Sequence, residues 1–369
     1  TEKTGSSYLQ TAFWAADEAL VSEGIHYSAD RFDSSDRFGG VQGDGAAVGG
    51  LIHGRDEVGL IYLLRGWRRR AEERGCTAVL LSHAGLWRRL LRDGEAALCG
   101  PAAAAGLDEV SAFMLIRDPI DHAVSHYRQV VKVGWTVDRF DRWLKSDYQY
   151  LEGLAEVLSA SSEISWVLRK YEPRRRSLDE VVLTDWLGVP PTVTRALAGE
   201  IAVNTSLTAT EAVVLASLGS QISGMHDALA PRFLALPSSD RPTDDEAADW
   251  MYDHAVRHCQ SQLQAAEVLN RYLPVDERLE IPQRLSPDLG SPPRDLHLSE
   301  AQWGAIVDGV GERLGDGPGR WRRYSRFTEL QKAIFERTPD PVLRLYRLVR
   351  HPVRHCRSGR WIRRRGETQ

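Results

Sequence analysis

Lys3-Thr4-Gly5-Ser6-Ser7 sets an ammonium, three hydroxyls and a glycine directly ahead of a helical pattern carried by Tyr8, Leu9, Ala12, Phe13, Ala16 and Leu20. Gly5 can adopt the positive φ of a tight turn, and Ser6 or Ser7 can cap the helix. The first N–H groups of such a helix have no internal partner and lie at the positive end of its dipole, so a phosphate or sulfate can be held there with Lys3 beside it. Read alone, the string is equally a capped helix start with a surface lysine. A second segment repeats the strand, turn and helix. Ser111 to Ile116 is an apolar run ending in Arg117-Asp118-Pro119, and a helical pattern begins at Asp121. Pro119 suits a first helical turn, and Ser125 lies two turns on, so the Arg117 guanidinium and the Ser125 hydroxyl can grip a separate phosphate.

The order of residues argues against an ordinary nucleotide triphosphatase loop. In GxxxxGK[ST] the lysine follows the last glycine, whereas here Lys3 precedes Gly5. Together the two segments resemble the PAPS-dependent sulfotransferases, PAPS being 3′-phosphoadenosine 5′-phosphosulfate. That family pairs a Lys-Thr-Gly-[Ser/Thr]-[Ser/Thr] loop for the 5′-phosphosulfate with an Arg-[Asp/Asn]-Pro motif, and a serine eight residues after the arginine, for the 3′-phosphate. The resemblance implies a P-loop-NTPase-like α/β fold, a parallel sheet flanked by helices, with PAPS as sulfuryl donor and PAP as product. It implies nucleotide contacts from Lys3, Thr4, Gly5, Ser6, Ser7, Tyr8, Arg117 and Ser125, and no metal. Trp166 to Glu172 is similar to the family's late strand ending in Tyr-Glu. Asn204-Thr205-Ser206-Leu207 is similar to the Asn-x-Ser-Leu stretch of bacterial and carbohydrate sulfotransferases, and Gln262 to Leu273 to a following helix. Two features depart from the pattern. Glu2 stands where proline commonly precedes the lysine, and the family's first strand falls before Thr1, outside this sequence.

Sulfuryl transfer by in-line attack needs positioning, charge stabilisation on the leaving oxygen and a base for the acceptor proton. The resemblance gives Lys3 the leaving-group side. His83 is the first choice as base, because Leu81-Ser82-His83 ends an apolar run where cytosolic members carry Thr-His, and an imidazole titrates near neutrality. His26, His53 and Asp44 are rivals. Bacterial members often carry Ser-Ser-Glu here, which sets Ala84 in the glutamate's place. Tyr171 and Glu172 can line the site or simply pack. Asn204-Thr205-Ser206 is formally a glycosylation sequon, but its match to the family's internal Asn-x-Ser-Leu favours a structural turn.

The elements that must position these groups alternate along the chain. Gly24 to Tyr27 reads as a strand, Ser28 to Gly45 as a polar glycine-rich loop, and the stretch through Leu60, Leu63, Leu64 and Trp67 as a helix ending near Gly75. Thr77 to Ser82 reads as a buried strand, Leu86 onward as helix, then come the Arg117 strand, helices to about Ala160 and a strand from Ile164 to Tyr171. Strands alternating with helices indicate a parallel sheet covered on both faces, and ligands of such sheets gather beyond the carboxyl ends of the strands. From about 207 the patterns are mainly helical, including Asp244 to Tyr272. The expected organisation is a domain over 1–280 and a helical C-terminal extension over 281–369 packed on it.

The 369 residues carry a formal net charge of −4, which excludes a globally basic nucleic-acid binder. Cys76, Cys99, Cys259 and Cys356 lack metal-ligand spacing and read as free thiols in a reducing compartment. No apolar run reaches the roughly 18 to 20 residues of a membrane span. The expected location is cytoplasmic, with an N-terminal targeting segment left open. The C-terminus is distinct: Arg344, Arg347, Arg350, Arg354 and Arg357 recur at helical spacing, followed by Arg360, Trp361 and Arg363 to Arg365. It reads either as a solvated tail or as a patch for an anionic membrane surface or an acidic polysaccharide. Arg320-Trp321-Arg322-Arg323 can contact nucleotide. The expected acceptor is a hydroxyl on a carbohydrate, a glycolipid or a small molecule. The alternatives are a P-loop-like nucleotide kinase and a non-catalytic PAP-binding or nucleotide-binding module of the same fold.

Overall fold

The computed structural model describes residues 6–28, 45–172, 176–197, 206–243, 245–282, 296–315 and Leu330. The chain is mixed helix and strand, with two small parallel sheets. Helices α1 (Ser6–Ala15) and α2 (Asp17–Ser22) lead into β1 (Ile25–Tyr27), and α3 (Gly45–Gly54) and α4 (Glu57–Glu73) lead into β2 (Ala78–Leu80). Then come α5 (Leu86–Asp93), α6 (Ala96–Ala104), β3 (Val110–Arg117), α7 (Pro119–Lys132), α8 (Phe140–Asp147), α9 (Tyr150–Ala160) and β4 (Ile164–Tyr171). A π-helical segment, Glu180–Trp186, precedes α10 (Pro191–Leu197), α11 (Ala209–Gly219), α12 (Met225–Ala235), α13 (Asp245–Gln260), α14 (Leu263–Asn270) and α15 (Glu300–Leu314).

β1 pairs in parallel with β2, Tyr27 opposite Leu80, and β3 pairs in parallel with β4, from Val110 opposite Ile164 to Arg117 opposite Tyr171. β4 matches the sequence-based bounds residue for residue. β2 is shorter than the expected Thr77 to Ser82, because pairing with the three residues of β1 limits it. The consecutive burial of Met114, Leu115 and Ile116 fits a strand covered on both faces. Around the first strands, Leu9, Ala12, Phe13, Ala16 and Leu20 form one core with Tyr27, Leu80, Leu115 and Val181 to Leu183.

Local chemistry sets the helix limits. In α4 the Asp56 side chain accepts the Gly59 N–H at 2.9 Å, and Leu60, Leu64, Trp67 and Ala71 form the buried stripe. α7 starts at Pro119, with the Asp118 carboxylate accepting the Ile120 and Asp121 N–H groups at 3.0 and 3.2 Å. The Glu95 carboxylate accepts from the Ser161 hydroxyl (2.5 Å), from the N–H (2.6 Å) and hydroxyl (3.0 Å) of Ser162, and from the Glu163 N–H (3.1 Å), fastening the start of α6 to the turn before β4.

The chain divides into two compact units. One comprises 1–129, 140–206 and 248–290 and holds both sheets; the other groups Val130–Arg139 and Leu207–Ala247 with the described residues from 296 onward. This differs from an expected boundary near 280, and the packing of the second unit gives the reason. The Thr208 side chain and Glu211 close a capping box at the start of α11. Glu211 is fully buried and takes a two-pronged bond from Arg241, Nε to Oε1 at 2.9 Å and Nη2 to Oε2 at 2.7 Å. Gln302 of α15 donates to the same carboxylate at 3.1 Å. α11, the Arg241 turn and α15 therefore share one buried polar knot.

Two measurements follow from these carboxylates. Burial alone would raise the Glu95 pKa, but the four hydrogen bonds outweigh it and bring it from 4.5 to about 2. Because the folded pKa lies below the unfolded one, the stabilisation is complete above pH 4.5 and is lost as pH falls toward 2. The melting-temperature gap between wild type and Glu95→Gln should therefore narrow across that window. Glu211→Ala removes the two-pronged partner of the buried Arg241 and should cost about 3–5 kcal/mol in urea unfolding.

Candidate functional site

The last residues of the longer ladder, Arg117 of β3 and Tyr171 of β4, face each other across the strands. The Arg117 guanidinium carbon lies 5.9 Å above the Tyr171 ring, a cation–π distance, and Nη2 stands 4.0 Å from the Asp121 carboxylate. Its side chain keeps 27% exposure, so a dissolved anion can reach it. Asp121 and Ser125 stand four residues apart within α7 and share one face of it, while Arg117 ends the strand two residues before the helix begins. The arginine and serine singled out in the sequence thus share a strand end and the helix that leaves it. Burial raises the Asp118 pKa, offset in part by its two N–H donors and the Lys170 charge.

A buried aromatic and imidazole stack behind this turn holds it in place. The Tyr150 hydroxyl accepts the Arg117 backbone N–H at 3.2 Å. The Tyr150 ring stacks on His122 with centroids 3.7 Å apart and planes 10° from parallel. The Tyr148 hydroxyl donates to the Pro119 carbonyl at 3.1 Å and lies 2.8 Å from His122 Nδ1; with its proton spent on Pro119, it accepts from an Nδ1–H. Burial pushes the Tyr148 phenol far above its ordinary value, so it stays protonated. His126 stacks on His122 from the next turn and meets Arg88 at 3.3 Å. Sequence reasoning missed these residues. Their signal was the His122-x3-His126 interval on one helix face, with Tyr148 and Tyr150 flanking a helix start.

Elsewhere the expected residues divide. Lys3, Thr4 and Gly5 lie outside the described residues, and α1 begins at Ser6-Ser7, where the anion-loop reading requires a helix to begin. The Tyr8 hydroxyl donates to Asp179 at 2.5 Å; burial and that bond push the phenol up, so the group is committed within the fold. His83 follows β2, with Nδ1 accepting the Gly85 N–H at 3.1 Å. In a neutral ring the proton then sits on Nε2, which disposes that nitrogen to donate rather than to take a proton. α3 packs closely over His83: a Cβ on Gly45 would lie 2.5 Å from the His83 Cβ, and one on Gly49 3.4 Å from Cε1. His26 Nδ1 meets Arg74 at 3.0 Å, and His53 Nδ1 is held by Arg89 and Arg92 on the surface. Lys170 pairs with Glu172 at 2.8 Å. Asp44, Asn204, Thr205, Arg320 to Arg323 and the basic C-terminal residues lie outside the described residues.

Cys76, Cys99 and Cys259 are buried free thiols, and burial pushes Cys259 up to about 12. Among the described residues no cluster of metal-ligating side chains occurs, and no helix is long and apolar enough to cross a membrane. No family model, curated protein or solved structure matches the chain.

Tyr150→Phe removes the acceptor of the Arg117 N–H while keeping the ring on His122. It should destabilise the protein by about 1–3 kcal/mol in chemical denaturation.

Proposed function

We propose that this protein is a sulfotransferase that moves a sulfuryl group from PAPS to an acceptor hydroxyl, on a P-loop-like parallel sheet. The observation that carries the reading is the placement of Arg117 at the end of a parallel strand, with Ser125 on the helix that follows, on the same helix face as Asp121, whose carboxylate stands 4.0 Å from the guanidinium. A partly exposed guanidinium at a strand end, with a hydroxyl on the helix that leaves it, suits a 3′-phosphate, the group that separates PAPS from ATP. The start of α1 directly after Lys3-Thr4-Gly5 supports the other grip, in which helix N–H groups and the Lys3 ammonium hold the 5′-phosphosulfate. Tyr171 and the Tyr150 hydroxyl fix Arg117 in advance, so little ordering is left to binding.

PAPS supplies an activated sulfuryl group whose departure leaves charge on a phosphate oxygen. In this reading Lys3 and the N–H groups of α1 stabilise that charge, Arg117 and Ser125 set the depth of the nucleotide, and Asp121 beside Arg117 tunes anion affinity downward by competing for the guanidinium. His83 serves as base only in the tautomer protonated at Nδ1, which requires the Gly85 N–H to find another acceptor. Acceptors of the carbohydrate or glycolipid class, or a small-molecule hydroxyl, fit the proposal. The His83 tautomer also favours a second reading, a PAP-binding module without transfer.

Calorimetry with PAP tests the nucleotide grip. Arg117→Ala should weaken PAP about 10- to 100-fold, the loss of a charge-assisted hydrogen bond of roughly 1.5–3 kcal/mol, while leaving AMP binding unchanged. Equal PAP affinity in the variant would sink the assignment. Sulfate transfer from labelled PAPS to a panel of glycans and phenols then separates enzyme from binding module, and Lys3→Ala should abolish that transfer.

A further inference from the structure

Where α3 and α5 end, three arginines gather round one histidine. Gly45 and Gly49 of α3 cover His83, and α5 starts three residues after His83. His53 continues the Gly45 and Gly49 face of α3 one turn further, roughly 6 Å along the helix. There Nη1 of Arg89, at 2.7 Å, and Nη1 of Arg92 both converge on His53 Nδ1. Arginine only donates, so Nδ1 is the acceptor and the ring proton sits on Nε2. One lone pair serves two guanidinium groups.

Asp93 steadies one of the two. Arg92 Nε donates to its carboxylate at 2.8 Å, and that bond, with the nearby charge of Arg55, holds the Asp93 carboxyl below its ordinary range against the effect of burial. Arg55 stands just beyond α3 at φ 54°, the single non-glycine with positive φ among the described residues. Strain of this kind collects at ligand sites. Positive groups in the last turn of a helix offset its dipole, and His53 and Arg92 meet that need for α3 and α5. Arg55 and Arg89 exceed it. Neither forms an ion pair among the described residues, so three guanidinium groups share the Asp93 carboxylate. Beside His53, Gly50 and Gly54 leave an open shelf, since a Cβ added at either would meet nothing within 4 Å.

We propose that Arg55, Arg89 and Arg92 bind the phosphate or sulfate group of an esterified ligand whose body lies over Gly50 and Gly54. Guanidinium groups from two helix ends suit a tetrahedral oxyanion, whose oxygens point in several directions, better than a planar carboxylate, which a single fork satisfies. Such an anion offers several lone pairs where His53 Nδ1 offers one, so the arginines gain acceptors on binding. The excess of two positive charges over Asp93 is too small for a membrane surface, which is held by clusters of roughly four to eight basic residues. The proposal does not depend on the nucleotide assignment.

The test follows the side-chain NMR signals of Arg89, Arg92 and His53 while inorganic phosphate, a monosaccharide phosphate or acetate is added at constant ionic strength. Both phosphates should shift these signals saturably, the ester at lower concentration, and acetate should not. Arg55→Gln and Arg89→Gln, at unchanged melting temperature, should each weaken both phosphates about tenfold. Gly50→Leu should fill the shelf and weaken the ester alone. Arg142→Gln on α8, an equal change in net charge, should alter neither. Non-saturating shifts, saturation by acetate, a Gly50→Leu without effect on the ester, or equal losses from Arg142→Gln and Arg89→Gln overturn the proposal. PAP is absent from these titrations, so failure of the nucleotide reading leaves the result intact.

Discussion

The eight-residue parallel ladder between β3 and β4 is the constraint on which the described site depends. Its strands are in full register, so Arg117 and Tyr171 end flush, and the guanidinium finds the aromatic face without an extended reach. A slip of one residue would turn Met114 and Ile116 to the opposite face and carry Arg117 away from the Tyr150 hydroxyl. Burial of Met114 to Ile116 between layers therefore fixes the functional end as firmly as the core.

Polar groups inside the protein follow a common logic. Tyr148, Glu95 and Glu211 are each supplied with named partners, and each joins segments distant in sequence. Glu95 and Tyr148 illustrate opposite balances between hydrogen bonding and desolvation. The carboxylate is kept ionised by several donors, whereas the phenol is kept neutral by the apolar rings around it. Neither group touches the expected nucleotide contacts, yet Tyr148 holds the first carbonyl of α7 and so helps decide where Ser125 stands.

Much of the fold was legible in the sequence where one signal dominated. The apolar run ending at Arg117 and the stretch from Ile164 to Tyr171 have strand length and composition, and Asp118-Pro119 is a strong helix start; all three appear where expected. The shortness of β2 was not legible, since it is set by a partner of three residues. Nor was the grouping of 207–247 with α15, which depends on the buried Glu211, a residue whose type suggests the surface. At the candidate site, the strand ending at Arg117 and the helix that carries Ser125 were readable from the apolar run and the Asp118-Pro119 start. The Tyr8 bond to Asp179 spans 171 positions and left no local trace, and the His83 tautomer depends on a backbone N–H two residues on that composition does not reveal.

The flush end of the ladder has a thermodynamic consequence. Arg117 is both the last residue of β3 and a partly exposed cation of the candidate site, so the equilibrium that frays the strand also disperses its charge. An anion held there resists fraying in proportion to the logarithm of its concentration over its dissociation constant. By reciprocity, on the proposed reading, a looser ladder holds an anion more weakly even when no contacting side chain changes. On that reading, affinity at the strand end and local unfolding of the sheet are two expressions of one free-energy difference.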